Sequence, residues 1–158
     1  MLDYDAVFWS SGSYAPTESS VELLKEYLDG GGRLFIDGAE IAFYWTGDEF
    51  LSDYLHSEYL SYGTLTDLEV GPDDHPLNAG FGGAVIQLSS GTPPDILGVL
   101  DADVVFVRGP DSSDAGTPSL VAYDGDNMVA FASFQVNLMD TFDASLLINN
   151  AAAWFLSQ

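Results

Sequence analysis

Gly30-Gly31-Gly32-Arg33-Leu34-Phe35-Ile36-Asp37-Gly38-Ala39-Glu40 reads as a helix stopped by glycines, a short buried strand and a sharp turn. In open α/β sheets, the turn at the carboxyl end of a strand is where ligands and nucleophiles are usually placed. Here that elbow carries Gly38, Ala39 and Glu40, with no Cys, Ser or Thr. The segment therefore supplies the frame of a site without a reactive group, so it speaks to the fold and leaves the reaction open.

Upstream, residues 4–9 form a near-continuous apolar run, as expected of a strand buried on both faces, and Ser10-Ser11-Gly12-Ser13 ends it. Thr17 suits an N-cap, and Val21, Leu23, Leu24, Tyr27 and Leu28 recur at helical spacing up to Gly30. Strand, helix and strand (33–37) make a βαβ unit, which predicts two parallel strands. Downstream, residues 41–44 begin a short helix, and Phe50, Leu51, Tyr54 and Leu55 predict a second over 48–60. Residues 65–70, 84–88 and 104–108 are short strand candidates. Residues 119–123 and 128–134 flank Asp124-Gly125-Asp126-Asn127, whose residue types tolerate the positive φ of a tight hairpin. Residues 143–156, with Leu146, Leu147, Ala151, Trp154 and Phe155, close the chain as an amphipathic helix.

The chain has 158 residues, enough for one domain, and no linker or repeat divides residues 1–158. It holds 25 acidic residues against Lys25, Arg33 and Arg108, a formal net charge of −22. Such a surface repels itself in dilute buffer. The screening length falls from about 10 Å at 0.1 M salt to about 3 Å at 1 M, so a halophilic protein or one exported into a salty setting suits it, the alternative being an acidic solubilising surface with no environmental meaning. Three basic residues cannot neutralise a row of phosphates, which argues against a nucleic-acid partner. No apolar run reaches 18 residues, so no membrane span is expected. The absence of Cys excludes thiolate chemistry.

The order Asp5-Ala6-Val7-Phe8-Trp9-Ser10-Ser11-Gly12, a helix, Gly31 to Gly38, then Val129-Ala130-Phe131-Ala132-Ser133-Phe134-Gln135 before a terminal helix resembles the class I glutamine amidotransferase-like superfamily. It is most similar to that group's degenerate, non-amidotransferase members. The resemblance implies a flavodoxin-like fold: α/β, three-layer, with a mostly parallel sheet, a β-rich insertion and a C-terminal hairpin and helix. In active members, the elbow holds a nucleophilic Cys, and the late strand ends in a His followed by a carboxylate. The matching positions here lie around Gly38-Ala39-Glu40 and Gln135-Val136-Asn137, so both catalytic positions are lost. The family frame also begins one or two βα units earlier than Met1. A strand at residues 4–9 would then lack a neighbour, which leads to the expectation of a homodimer.

Ser10, Ser11, Gly12, Asp37, Glu40, Tyr44, Gln135 and Asn137 all come from the expected carboxyl ends of strands and so converge on one cleft in such a fold. Asp37, Glu40 and Ser11 are the catalytic candidates; Ser10, Gly12, Tyr44, Gln135 and Asn137 are the ligand-binding ones. A serine nucleophile needs a base within about 3 Å, and neither His56 nor His75 falls where a cleft residue is expected. Asp73-Asp74-His75 lacks a second ligand pair, and residues 124–127 lack the spacing of a calcium loop, so no metal or cofactor is expected. Core packing accounts for Trp9 and Trp154, leaving Trp45 as the candidate for an exposed aromatic. The leading expectation is a non-catalytic binding or assembly module. The alternative is a hydrolase using Asp37 or Glu40 as base, with a cation assisting. A carboxylate buried beside a second titratable group in a concave pocket favours the enzyme.

Overall fold

The computed structural model describes residues 4–83 and 85–157. The chain enters β1 (Val7–Gly12), crosses by α1 (Glu18–Asp29) and returns in β2 (Arg33–Gly38), parallel to β1, with Phe8 opposite Phe35 and Ser10 opposite Asp37. The expected βαβ unit is present for the expected reasons. Thr17 caps α1 by accepting from the Ser20 amide, and Gly30 ends the helix. Gly32 lies where a Cβ would strike the Tyr27 ring, whose hydroxyl bridges the Arg33 backbone. The first strand starts three residues later than its apolar run suggested and continues through Ser10-Ser11.

After α2 (Ile41–Tyr44) the structure departs from expectation. The helix predicted over 48–60 is a single π-turn, Phe50–Tyr54, which buries Phe50 and Leu51. His56 then adopts φ 51° and redirects the chain into β3 (Ser57–Tyr62). The helical spacing was real for one turn only, because the tyrosines that follow suit a strand.

Next come β4 (Asp67–Val70), β5 (Ile86–Gln87), β6 (Asp95–Val99), β7 (Asp103–Arg108), β8 (Pro118–Tyr123), β9 (Met128–Ala132) and α3 (Thr141–Leu156). Ala84, the first residue of one expected strand, lies outside the described residues, as does Met1.

The main sheet runs β1-β2-β9-β8-β7-β4-β5, and β3 pairs with β6 in a separate antiparallel ribbon. Only β1–β2 and β2–β9 are parallel; the four remaining pairings are antiparallel. The flavodoxin-like expectation of a mostly parallel sheet is therefore wrong. The physical reason is connection length. A parallel return needs a crossover of about a dozen residues or more, whereas residues 124–127 join β8 to β9 as the expected hairpin. Alternation along β2 and β9 divides the core. Leu34, Ile36, Val129 and Phe131 pack on the α1 side, while Phe35, Ala130 and Ala132 pack with Leu147, Ala151 and Phe155 of α3.

Candidate functional site

The carboxyl ends of β1, β2 and β9 meet at one end of the sheet, and Asp37 ties them together. Its Oδ2 accepts from Ser10 Oγ at 3.2 Å and from the Val136 amide at 3.0 Å. Burial pushes the Asp37 carboxyl above its ordinary value, opposed by those two bonds. Ser10, Asp37 and Asn137 share a cleft of about 320 Å³ with Phe8, Ala144 and Ile148. Close by, Ser13 Oγ bonds both Thr92 Oγ1 (2.9 Å) and Gln135 Nε2 (3.4 Å). The Ser11 hydroxyl donates to the Tyr14 carbonyl, and the Gly12 carbonyl accepts from the Ala39 amide at 3.0 Å. These groups hold backbone in place.

Glu40 and Tyr44 do not join that cleft. Gly38 is wedged so tightly against Ile41 and Ser11 that a Cβ there would meet both side chains. Beyond it Glu40 lines a different pocket of about 290 Å³ with Phe43, Tyr59, Tyr62, Pro93 and Asp95. Tyr44 borders a separate hollow with Tyr14, Pro16, Glu18 and Trp45. Trp45 is not the exposed aromatic: it is half-buried against Phe50, with its Nε1 buried and unpartnered, while Phe43 and Tyr44 carry the exposed rings.

Asp95 was missed in the sequence. It is 1% exposed; its Oδ2 accepts from the Phe43 amide at 3.0 Å, and its own amide donates to the Ala39 carbonyl at 2.9 Å. Burial pushes its carboxyl up to about 6, with the Glu40 charge adding, against the Phe43 and Ala42 amides and Arg108. Arg108 is also fully buried. Nη1 donates to the Thr64 carbonyl at 2.8 Å, and Nη2 to those of Pro94 (3.0 Å) and Asp95 (3.2 Å). Burial lowers the guanidinium to about 10, with Asp114 and Asp95 opposing. The available signals were Pro93-Pro94-Asp95 ahead of an apolar pair, and one of three cations lying inside a valine-rich strand.

Both histidines are committed elsewhere. His75 Nδ1 accepts from the Leu77 amide at 3.2 Å and its ring meets Trp154 edge-on; burial lowers its imidazole. His56 bonds Asp101 through Nδ1 at 2.8 Å and stacks on Tyr123, its Nε2 buried without a partner. Asp73 Oδ2 accepts from the Val104 amide at 2.7 Å, anchoring a loop. No group of three or more His, Asp or Glu among the described residues could hold a metal ion. No helix among them is long and apolar enough to cross a membrane.

No family model matches the chain, and no curated protein matches it. Solved structures do. The chain is similar to the mmIFT52 N-terminal domain at 17% identity and a TM-score of 0.64, covering 96% of this chain and 77% of that one. It is similar to a thuA-like protein from Bacteroides uniformis at 14% identity and 0.64, covering 99% and 71%. The likeness to alpha-L-fucosidase isoenzyme 2 from Paenibacillus thiaminolyticus is 14% and 0.70, over 98% of this chain and only 25% of that enzyme. At such identities the likeness is one of fold. With the mixed sheet, it replaces the amidotransferase-like, flavodoxin-like resemblance read from the sequence.

Proposed function

We propose that the chain is a non-catalytic binding or assembly module, and that it pairs with a second copy of itself along β1. The observation that carries the first part is the use made of the polar groups at the strand ends. Ser10, Ser11 and Asp37 are bonded to backbone or to one another, and Gln135 bonds Ser13; the one carboxylate that a hydroxyl meets there, Asp37, is already occupied by the Val136 amide, and no histidine lines the cleft.

The second part rests on the open edge. β1 lies at the end of the main sheet, and in a chain of net charge −22 its six residues carry no charge. Phe8, stacked on Phe35 and against Phe155, is still 42% exposed. Natural edge strands are normally shielded by charge, proline or a bulge. The irregularity in β1 falls at its end, between Ser10 and Gly12, and leaves Val7 to Ser10 in regular register, so two-fold pairing would supply the neighbour that β1 lacks among the described residues. Sedimentation across protein concentration at about 1 M NaCl tests it. A concentration-dependent dimer, lost in Phe8→Lys, is expected; a monomer throughout contradicts it.

One observation favours the hydrolase as a second reading. Asp95, raised to about 6, sits with Glu40 in a concave pocket, as a general acid beside a base would. Against it, the Asp95 carboxylate is held by the amides of α2 and is almost wholly covered. Turnover of any ester or glycoside that Glu40→Gln abolishes would establish the enzyme.

A further inference from the structure

The pocket at Glu40 is built by an irregularity. Along the β3–β6 ribbon, Tyr59 faces Leu97 and Tyr62 faces Asp95, with a register shift between Tyr59 and Ser61. In a regular strand, residues three apart point to opposite faces. The extra residue brings Tyr59 and Tyr62 to the same face, that of Asp95 and Leu97. Phe43 completes the wall, its ring 5.5 Å from that of Tyr59 at 66°. Tyr62 is 73% exposed at the rim. The result is three aromatic rings around two carboxylates.

Neither carboxylate has a cationic side chain bonded to it among the described residues. Arg108 gives its donors to the carbonyls of Thr64, Pro94 and Asp95 instead. Aromatic faces attract cations, and more strongly where water is excluded. A hydrated metal ion wants oxygen ligands on several sides, whereas rings and a proline make up most of this wall. A volume of about 290 Å³ is small for a ligand pocket.

We propose that this pocket binds the alkylammonium head group of an organic cation, with Phe43, Tyr59 and Tyr62 packed on its methyl groups and Glu40 supplying the countercharge. The inference rests on the reading of the chain as a binding module, but it concerns a surface away from β1, so cation binding and self-association can fail separately. The head group comes either from a free small molecule or from a modified lysine on a partner chain.

The experiment is an NMR titration of the full chain with tetramethylammonium chloride, with NaCl withdrawn to hold ionic strength constant. Saturable shifts in the rings of Phe43, Tyr59 and Tyr62 are expected. Binding should weaken about threefold to tenfold in Glu40→Gln and in Tyr62→Ala, both at the pocket rim rather than in the core. Uncharged 3,3-dimethylbutan-1-ol, the carbon analogue of choline, should bind more weakly than choline by at least as much. Choline and N-acetyl-trimethyllysine amide then distinguish the two sources by which binds more tightly. Non-saturating shifts, or equal binding of the uncharged analogue, would overturn the proposal.

Discussion

Two carboxylates three residues apart, Asp37 and Glu40, stand on either side of one elbow and are treated in opposite ways. Asp37 is buried and accepts two bonds that join β1, β2 and the turn after β9. Glu40 has no side-chain bond to the helix it precedes and borders a pocket of rings. A buried carboxylate saturated by its own chain contributes to the fold. One left at the rim of an aromatic hollow is free to meet something else. The difference teaches that position at a strand end does not make a residue functional; what its oxygens are already doing decides.

The largest expected effect lies beneath the Glu40 side. Arg108→Ala removes the donors for three carbonyls and leaves a hole beside β6, so a loss of about 2–4 kcal/mol is expected in urea unfolding. A near-neutral result would mean that the pocket stands without its buried cation.

Asp95 should impose a pH dependence of the opposite sign to that of a salt-bridged acid. Its folded value is raised to about 6, against about 3.9 in the unfolded chain. Between these values the folded state binds more protons, so stability falls as pH rises from about 4 to about 6 and is regained on acidification. Asp95→Asn should flatten that part of the profile relative to the unaltered chain. An unchanged slope would place the titration elsewhere.

Salt should separate the two sides more gently. Raising NaCl from about 0.1 M to 2 M relieves the repulsion of a −22 surface, so the melting temperature should rise. Cation binding at Glu40 should weaken over the same range, while the buried Asp37 bonds are little screened. A melting temperature that stays flat would remove the halophilic reading.

The sequence disclosed the Asp37 side far better than the Glu40 side. Thr17, the Gly30 stop and the apolar run of β2 are local signals, and they led to the βαβ unit with Asp37 at its end. The grouping of Ser10, Asp37 and Asn137 followed from it. The Glu40 pocket depends on pairing across more than thirty residues, Tyr62 with Asp95, and on a register shift with no local signature. Helical spacing in Phe50, Leu51, Tyr54 and Leu55 also masked the onset of β3, because nothing local announced the positive φ of His56. Apart from the β8–β9 hairpin, the antiparallel pairings of β4, β5, β7 and β8 were not read from the sequence for the same reason. Long-range staples accompany them: Asp73 on the Val104 amide ties the loop after β4 to β7, and Arg108 on the Pro94 carbonyl ties β7 to the start of β6 in the separate ribbon.

The most direct test is urea unfolding of Asp37→Ala and Glu40→Ala side by side at neutral pH. Asp37→Ala leaves the Val136 amide and the Ser10 hydroxyl without their acceptor and should cost about 1–3 kcal/mol. Glu40→Ala should stay within about 0.5 kcal/mol of the unaltered chain. Equal losses, or a loss confined to Glu40→Ala, would contradict the division of the elbow into a structural acid and a binding one.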